Sequence, residues 1–520
     1  MRYILFCFYL SISCIACVDT LDMTPENSVT FANVFETERE LEIGIMGAEA
    51  SVRNEAAGQD LMPIGEYSDY FSEGSAALLQ EHEASMYERD WGWFYRVISY
   101  ANAPLPYIDD IKMPQERRDF YKGQVYFFKS FAYLHIIRLC GDCVLIRDEV
   151  EIAPQGQTSW VKVIDYAINL AKEAVRLLPE WDELKDANGN AVTHRARPCK
   201  GAANALLAHL CAWKAGCKYM AKPEDRDYDE QELWKIAEQA CTDIIKREDI
   251  YQLADNPENM CTTVLVGGSK ESIFESIFRN YWDEVAQTPW FQDITFTSMA
   301  GYYQGYPVVT GAMMGDIQNM LYRITNETVE NMFQDEDLRK NAWFYRFEYM
   351  RDSVDTDITG GYAYPYKYRQ AYVSTDGGAG GGSFINFDAN KIWWRLADKG
   401  IIILLRAECR ARLGGDYQQG AIDDLNKIRT RANAKPYDPS EYGGNLRYAI
   451  FKEREKEFLI EGGRWFDVLR NEYYKTELYG GFRTVSSQDI IDGVFFGVIK
   501  NSCFWDNPLL RQNTYWLRRM

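Results

Sequence analysis

The sequence predicts a mainly α-helical fold in which helix pairs stack in series against a loop-rich, aromatic-rich part. Three observations predict it. Many segments place apolar residues at alternating spacings of three and four, alanines recur on those stripes, and from about residue 271 to 391 the helical period gives way to Tyr, Trp, Gly and Pro.

The chain begins with a short apolar run. Arg2 is the only charge before Asp19, and Tyr3 to Ala16 have the length of a secretory h-region rather than of a membrane span. Within "CIACVDTLDMTP", residues 14–25, Ala16 supplies the small residue that precedes a cleavage site. The expectation is a lipoprotein signal over residues 1–16, cleavage before Cys17, and lipidation of the Cys17 thiol and new amino group. Several acyl chains on one residue hold a protein to a membrane where one chain does not. Residues 17–30 then form a tether. Secretion with Cys17 unmodified stays open as an alternative.

Residues 31–270 contain most of the helical stripes. Val163, Ala167, Leu170, Ala174 and Leu177 make one stripe; Ala202, Leu206, His209 and Trp213 a second; Trp234, Ala237, Cys241 and Ile244 a third. Small residues on the contact line let neighbouring helices approach closely, as in stacked pairs. In "YKGQVYFFKSFAYLHIIRL" two stripes are apolar, Val125, Phe128, Ala132 and His135 on one and Phe127, Phe131 and Leu134 on the other. That helix is expected to be covered on two sides. Residues 271–400 form the irregular region, 401–470 return to helix with Ala421, Leu425, Ile428 and Ala432 on one stripe, and 471–520 form a second irregular segment.

Composition narrows the function. Lys and Arg number 57 against 77 Asp and Glu, a formal charge of −20, which disfavours a groove following a phosphate backbone. Nucleic acid is excluded as a partner. With 35 Tyr and 14 Trp the chain has more amphipathic rings than core packing needs, so some are expected to face a ligand or partner. The four histidines are scattered, no hydrolase, zinc-protease or phosphate-loop motif occurs, and acid pairs among 77 carboxylates carry no information, so no catalytic residue, metal or cofactor is assigned. "GGAGGGS" at 377–383 lacks the Lys of a phosphate loop, and the Asp355 "DTDITGG" run has Tyr366 where a calcium loop needs its Glu. Cys140 and Cys143 form a C-x-x-C that fits a disulfide, a redox pair or plain core packing.

Three stretches carry a family resemblance. "WGWFYRVISYANAPLPYID" with the helix that follows it, "LLRAECRARLGGDYQQGAIDDLNKIRTRAN", and "EREKEFLIEGGRWFDVLR" are together similar to the SusD/RagB family, in order and spacing over nearly the whole mature chain. The "NPLLRQNTYW" stretch resembles the family's C-terminal motif without its Pro-Gly, and the usual P-I-P is missing near Val498. The resemblance implies tetratricopeptide-type helical repeats forming a superhelix. It also implies an outer-membrane, cell-surface lipoprotein that captures a glycan without catalysis and passes it to a SusC-like TonB-dependent transporter. Peptide cargo, a surface glycosidase and a helical scaffold remain alternatives.

Within the implied glycan site, Trp282, Trp290, Tyr302 and Tyr303 are the candidate platforms, with Asp69 and Tyr70 as edge contacts; "GEYSDYFSEGS" and the approach to Trp91 are also candidates. Trp91 and Asn102 themselves sit in helical periodicity and are expected in the core. Glu457, Glu461, Arg464, Trp465 and Asp467, around Gly462 and Gly463, are expected to be structural: a buried Arg–carboxylate network, with the glycine pair ending a helix at positive φ.

Overall fold

The computed structural model describes residues 34–57, 88–148, 153–265, 267–276, 324–353, 361–363, 366–367, 371–374, 384–387, 395–459, 461, 463–478 and 480–519. Cys17, Asp69, Tyr70, Trp282, Trp290, Tyr302 and Tyr303 lie outside the described residues, as do the glycine run at 377–383 and Gly462.

The first part is a series of helices: α1 (Glu38–Ala57), α2 (Gly92–Asn102), α3 (Gln115–Cys140), α4 (Trp160–Leu177), α5 (Lys200–Gly216) and α6 (Glu230–Ile245), with β1 (Glu88–Arg89) just ahead of α2. Each helix packs on the next in sequence. The expected stripes bury: Val163, Ala167 and Ala174 on α4 and Trp234, Ala237, Cys241 and Ile244 on α6 are all in the core. α3 is buried nearly all round, both of its apolar stripes being covered. α5 is the closest-packed; a Cβ on Gly216 would stand 2.4 Å from the Arg470 carbonyl oxygen, so the backbone approach there needs glycine. Asp229 caps α6 by accepting from the Gln231 and Glu232 N–H groups.

An excursion then leaves the helical series and returns to it. It departs through β2 (Ser272–Glu275) and includes β3 (Ile324–Thr325), α7 (Asn326–Met332), α8 (Arg339–Trp343), α9 (Phe347–Asp352), β4 (Tyr362–Ala363), β5 (Ala371–Ser374), β6 (Phe384–Phe387) and β7 (Arg395–Asp398). The short helices α7 to α9 depart from the expected loss of helix in this region; a run of five to seven residues is too short to show a 3.6-residue period. Strands β3 and β4 pair antiparallel, as do β5 and β6. β2 pairs antiparallel with β7, Ser272 opposite Asp398 and Glu275 opposite Arg395, so the two ends of the excursion are stapled together. The Phe274 ring on β2 packs edge-on against Phe127 of α3 at 4.9 Å.

Directly after β7, the Asp398 carboxylate accepts from the Ile401 N–H and starts α10 (Lys399–Leu413). α10 packs on α6, across more than 150 residues of intervening sequence, and is followed by α11 (Gln418–Arg431), α12 (Leu446–Glu457) and α13 (Arg464–Arg470). Helix order in space therefore continues as if the excursion were absent. Ala421, Leu425, Ile428 and Ala432 are all fully buried. No helix among the described residues is long and apolar enough to cross a membrane.

Charges fill the space between the returning helices and the base of the excursion. Glu271, beside β2, accepts from Arg431 of α11 at 2.9 Å; Arg431 reaches Glu457 of α12 at 2.5 Å; Glu457 accepts from Arg339 of α8 at 3.1 Å. Arg339 also holds Asp337 at 2.8 Å and Glu453 at 2.7 Å, and Glu453 pairs with Arg429 at 2.8 Å. A second cluster joins Arg470 to Glu408 and Asp467, each at 2.6 Å, and Asp467 to Arg454 at 2.7 Å. Arg464 pairs with Glu455, and Glu461 with Lys367. The motif acids and Arg464 are thus structural. Of the expected helix-ending glycine pair, Gly463 has φ −89° as the residue before α13 and is not left-handed, while Gly462 lies outside the described residues; α12 itself stops at Glu457.

Burial by itself would raise the Glu453 carboxyl, yet the Arg339 and Arg429 guanidiniums outweigh it and hold it at about 2. Asp467 is held at about 2 in the same way by Arg454 and Arg470. Both folded values lie below those of the unfolded chain, so the unfolded state binds more protons in acid, and this stabilisation, complete above about pH 4.5, is lost as pH falls toward about 2. The urea midpoint is expected to be flat from about pH 7 to 5 and to fall steeply below about pH 4.5. Arg339→Met, which takes one guanidinium from Glu453 and Glu457 and leaves the buried Asp337 without an ion-pair partner among the described residues, is expected to cost about 3–5 kcal/mol in urea unfolding; a cost below about 1 kcal/mol would show the cluster to be dispensable.

Candidate functional site

The C-terminal segment, expected to be irregular, is held down along its length. β8 (Val498–Ile499) pairs parallel with β1, Glu88 opposite Val498, even though some 400 residues separate them. The Lys500 N–H donates to the Arg89 carbonyl at 3.0 Å. The Gln512 amide pairs with both backbone groups of Ile499, the Asn513 amide donates to the Cys140 and Gly497 carbonyls, and the Trp516 indole N–H donates to the Phe496 carbonyl at 2.7 Å. Side-chain amides from "RQN" thus take up backbone groups that a longer sheet would otherwise satisfy.

This return brings residues 502–510 against the start of α2 and the segment after Cys143. Between them is a cleft of about 250 Å³, walled by Trp91, Tyr95, Val144 and Ile146 on one side and by Gln155, Asp506, Asn507 and Leu510 on the other. Trp91 and Tyr95 stand edge to face at 5.8 Å, and the Tyr95 hydroxyl donates to the Val144 carbonyl at 2.8 Å. The Asn507 amide donates to the Gln155 carbonyl at 2.8 Å and closes the rim. Trp505 lies in sequence between Cys503 and Asp506 of the cleft wall without lining the cleft itself, and is 79% exposed, the most exposed large apolar side chain among the described residues. An uncovered indole can stack on the C–H face of a hydroxylated ring while amide and carboxylate groups bond hydroxyls at its edge.

The sequence expectations meet this site in part. On the approach to Trp91, the Asp90 carboxylate accepts from the Gly92 N–H at 2.9 Å and from the Cys503 thiol at 3.5 Å, next to the cleft wall. Trp91 and Asn102 are buried, as periodicity indicated. Trp505, which the sequence reading did not single out, had one local signal: an indole in "CFWDNP", where a Pro and two turn-forming residues argue against a packed position. Cys140 and Cys143 are both buried thiols, and burial pushes that of Cys143 well up, which leaves it a poor nucleophile. Tyr366, at the last position of the calcium-loop comparison, packs edge-on against Tyr345 and donates its N–H to the Trp343 carbonyl. No cluster of three metal-binding side chains occurs among the described residues.

A sequence model of the SusD family matches residues 281–491, through the excursion and the returning helices. The curated SusD-like protein P2 of Formosa agariphila is 23% identical over 501 residues, 89% of each chain. The chain is thus similar to the SusD family over that stretch. Solved structures bear out the fold. A SusD homologue from Bacteroides thetaiotaomicron aligns with a TM-score of 0.71 at 20% identity, covering 92% of this chain and 98% of that one. Surface glycan-binding protein A from Bacteroides uniformis aligns with a TM-score of 0.65 at 17% identity over 92% and 100%. At these identities the likeness speaks to the fold alone.

The exposures of the two indoles separate their roles. Trp505→Ala is expected to change unfolding free energy by less than about 0.5 kcal/mol, whereas Trp91→Ala is expected to cost about 3–5 kcal/mol, measured by urea unfolding. Equal costs would place Trp505 in the packed core and remove it from the site.

Proposed function

We propose that this protein is a SusD-like, non-catalytic glycan-binding lipoprotein of the cell surface. Cys17 tethers it to the outer membrane, the Trp505 cleft captures an oligosaccharide, and the helical body delivers it to a SusC-like TonB-dependent transporter. The observation that carries the reading is the uncovered Trp505 indole, next in sequence to the Asp506 and Asn507 side chains of the cleft wall. Similarity to the SusD family and the name of the Bacteroides uniformis neighbour support it. Trp282, Trp290, Tyr302, Tyr303, Asp69 and Tyr70 are proposed to extend the glycan surface, and residues 1–16 are proposed as the cleaved signal.

The test is retardation of the full-length protein, in detergent, in gels containing one polysaccharide at a time, with reducing ends assayed in parallel. Retardation by one glycan class, lost about tenfold in Trp505→Ala and without new reducing ends, is the expected result. No retardation by any glycan would sink the glycan reading, and new reducing ends would show an enzyme. Anchoring is tested separately: Cys17→Ala is expected to leave the membrane fraction, and its retention there at unchanged mass would refute the lipid tether.

A further inference from the structure

A second cavity, of about 190 Å³, sits where the lead-in to α8 meets the end of α11 and the outer side of α12. Its lining charges balance, Arg429, Lys435 and Lys456 against Asp337, Glu441 and Glu453. The acids, however, are already engaged. Asp337 and Glu453 pair with Arg339 behind the wall, and Arg429 holds both Glu441 and Glu453 at 2.8 Å. Four polar side-chain ends remain: the ammoniums of Lys456 and Lys435, the Gln334 amide and the Tyr442 hydroxyl make no hydrogen bond or ion pair among the described residues. The unanswered charge facing the cavity is therefore positive, in a chain whose formal charge is −20.

Two features set this cavity apart from a solvated dent. Lys456 is half-buried on α12, and desolvation pulls its ammonium down in spite of Glu453 and Asp337 nearby. A partly desolvated ammonium with no direct ion-pair partner among the described residues is a cost the fold keeps. The second is the turn at the mouth, where Tyr442 has φ 48° and ψ 35°, followed by Gly443 and Gly444 also at positive φ. Left-handed geometry is unfavourable at a tyrosine, whose Cβ crowds the following carbonyl oxygen. The Tyr448 ring, edge-on at 5.0 Å, fixes the Tyr442 ring at the rim, where it is 45% exposed.

We propose that this cavity is a second ligand site, separate from the Trp505 cleft, that takes one pyranose ring bearing an anionic group, the chemistry of a uronic acid or a sulfated sugar. The anion would answer Lys456, the C–H face of the ring would lie on Tyr442, and hydroxyls would reach Gln334 and Lys435. The volume suits one ring: a cavity of about 150 Å³ holds benzene, and a disaccharide would project into solvent.

The experiment is calorimetric titration of the full-length protein in detergent with glucuronate, glucose 6-sulfate, glucose and acetate. Saturable binding of glucuronate or of glucose 6-sulfate, at least tenfold tighter than glucose or acetate, is expected, and whichever binds tighter identifies the anion. Lys456→Met should weaken it tenfold or more while the thermal midpoint stays level or rises, since an unanswered ammonium has been removed. Lys435→Ala, an exposed change that leaves folding intact, should weaken it several-fold, and Trp505→Ala should leave it unchanged. The inference is overturned by no saturable binding of either acidic sugar, by equal binding of glucose or acetate, or by unchanged binding in Lys435→Ala and Lys456→Met. Loss in Trp505→Ala alone would move the acidic sugar to the other cleft and equally overturn it.

Discussion

The buried pairing of Arg431 with Glu271 and Glu457 is the constraint on which the rest of the structure depends. Glu271 stands at the start of the excursion, Arg431 ends α11, and Glu457 ends α12, so one guanidinium fixes the departure point against the two helices that follow the return. Arg339 extends the same arrangement to α8 inside the excursion. An apolar core could hold these elements together, but it would tolerate sliding; a bidentate guanidinium with charged partners on both sides does not. Register between a loop-rich region and a helical body is thereby set by a few buried ions rather than by a large shared interface.

The same arrangement explains how a helical series survives a long interruption. α6 and α10 meet as neighbours because β2 and β7 pair at the base of the excursion and Asp398 then caps α10 at once. The excursion leaves and re-enters at one place, and the body does not register its length. Loop closure of this kind grows only slowly in entropic cost with the number of residues enclosed, so such a region can lengthen and vary while its foundation is kept. Variation in ligand surface over a constant body is what a family of capture proteins would require.

Much of the helical body was legible in the sequence, because Val163 to Ala174 or Ala421 to Ala432 state their buried face through spacing alone. The charged motif was legible in its chemistry but not in its partners: Arg464 and Asp467 announce buried ion pairs, while the residues that answer Arg431 and Arg470 come from Glu271 and Glu408, far away in sequence. α7 to α9 were not legible, being too short to display a period. The rim indole at Trp505 was missed for another reason. Exposure is a property of how the tail returns to β1, and the turn residues of "CFWDNP" are the one local feature that separates it from the fully buried Trp516 eleven residues later.

The pairing of β8 with β1 has a consequence for how the protein assembles. Helices α1 to α6 can assemble on one another without the tail, since each packs on its predecessor in sequence. The Trp91 cleft cannot, because one of its walls is contributed by residues 502–510, some 400 residues after Trp91. Loss of that stretch would keep most of the helical body while leaving half a cleft, so the cleft reports a long-range contact that the helical series by itself does not need.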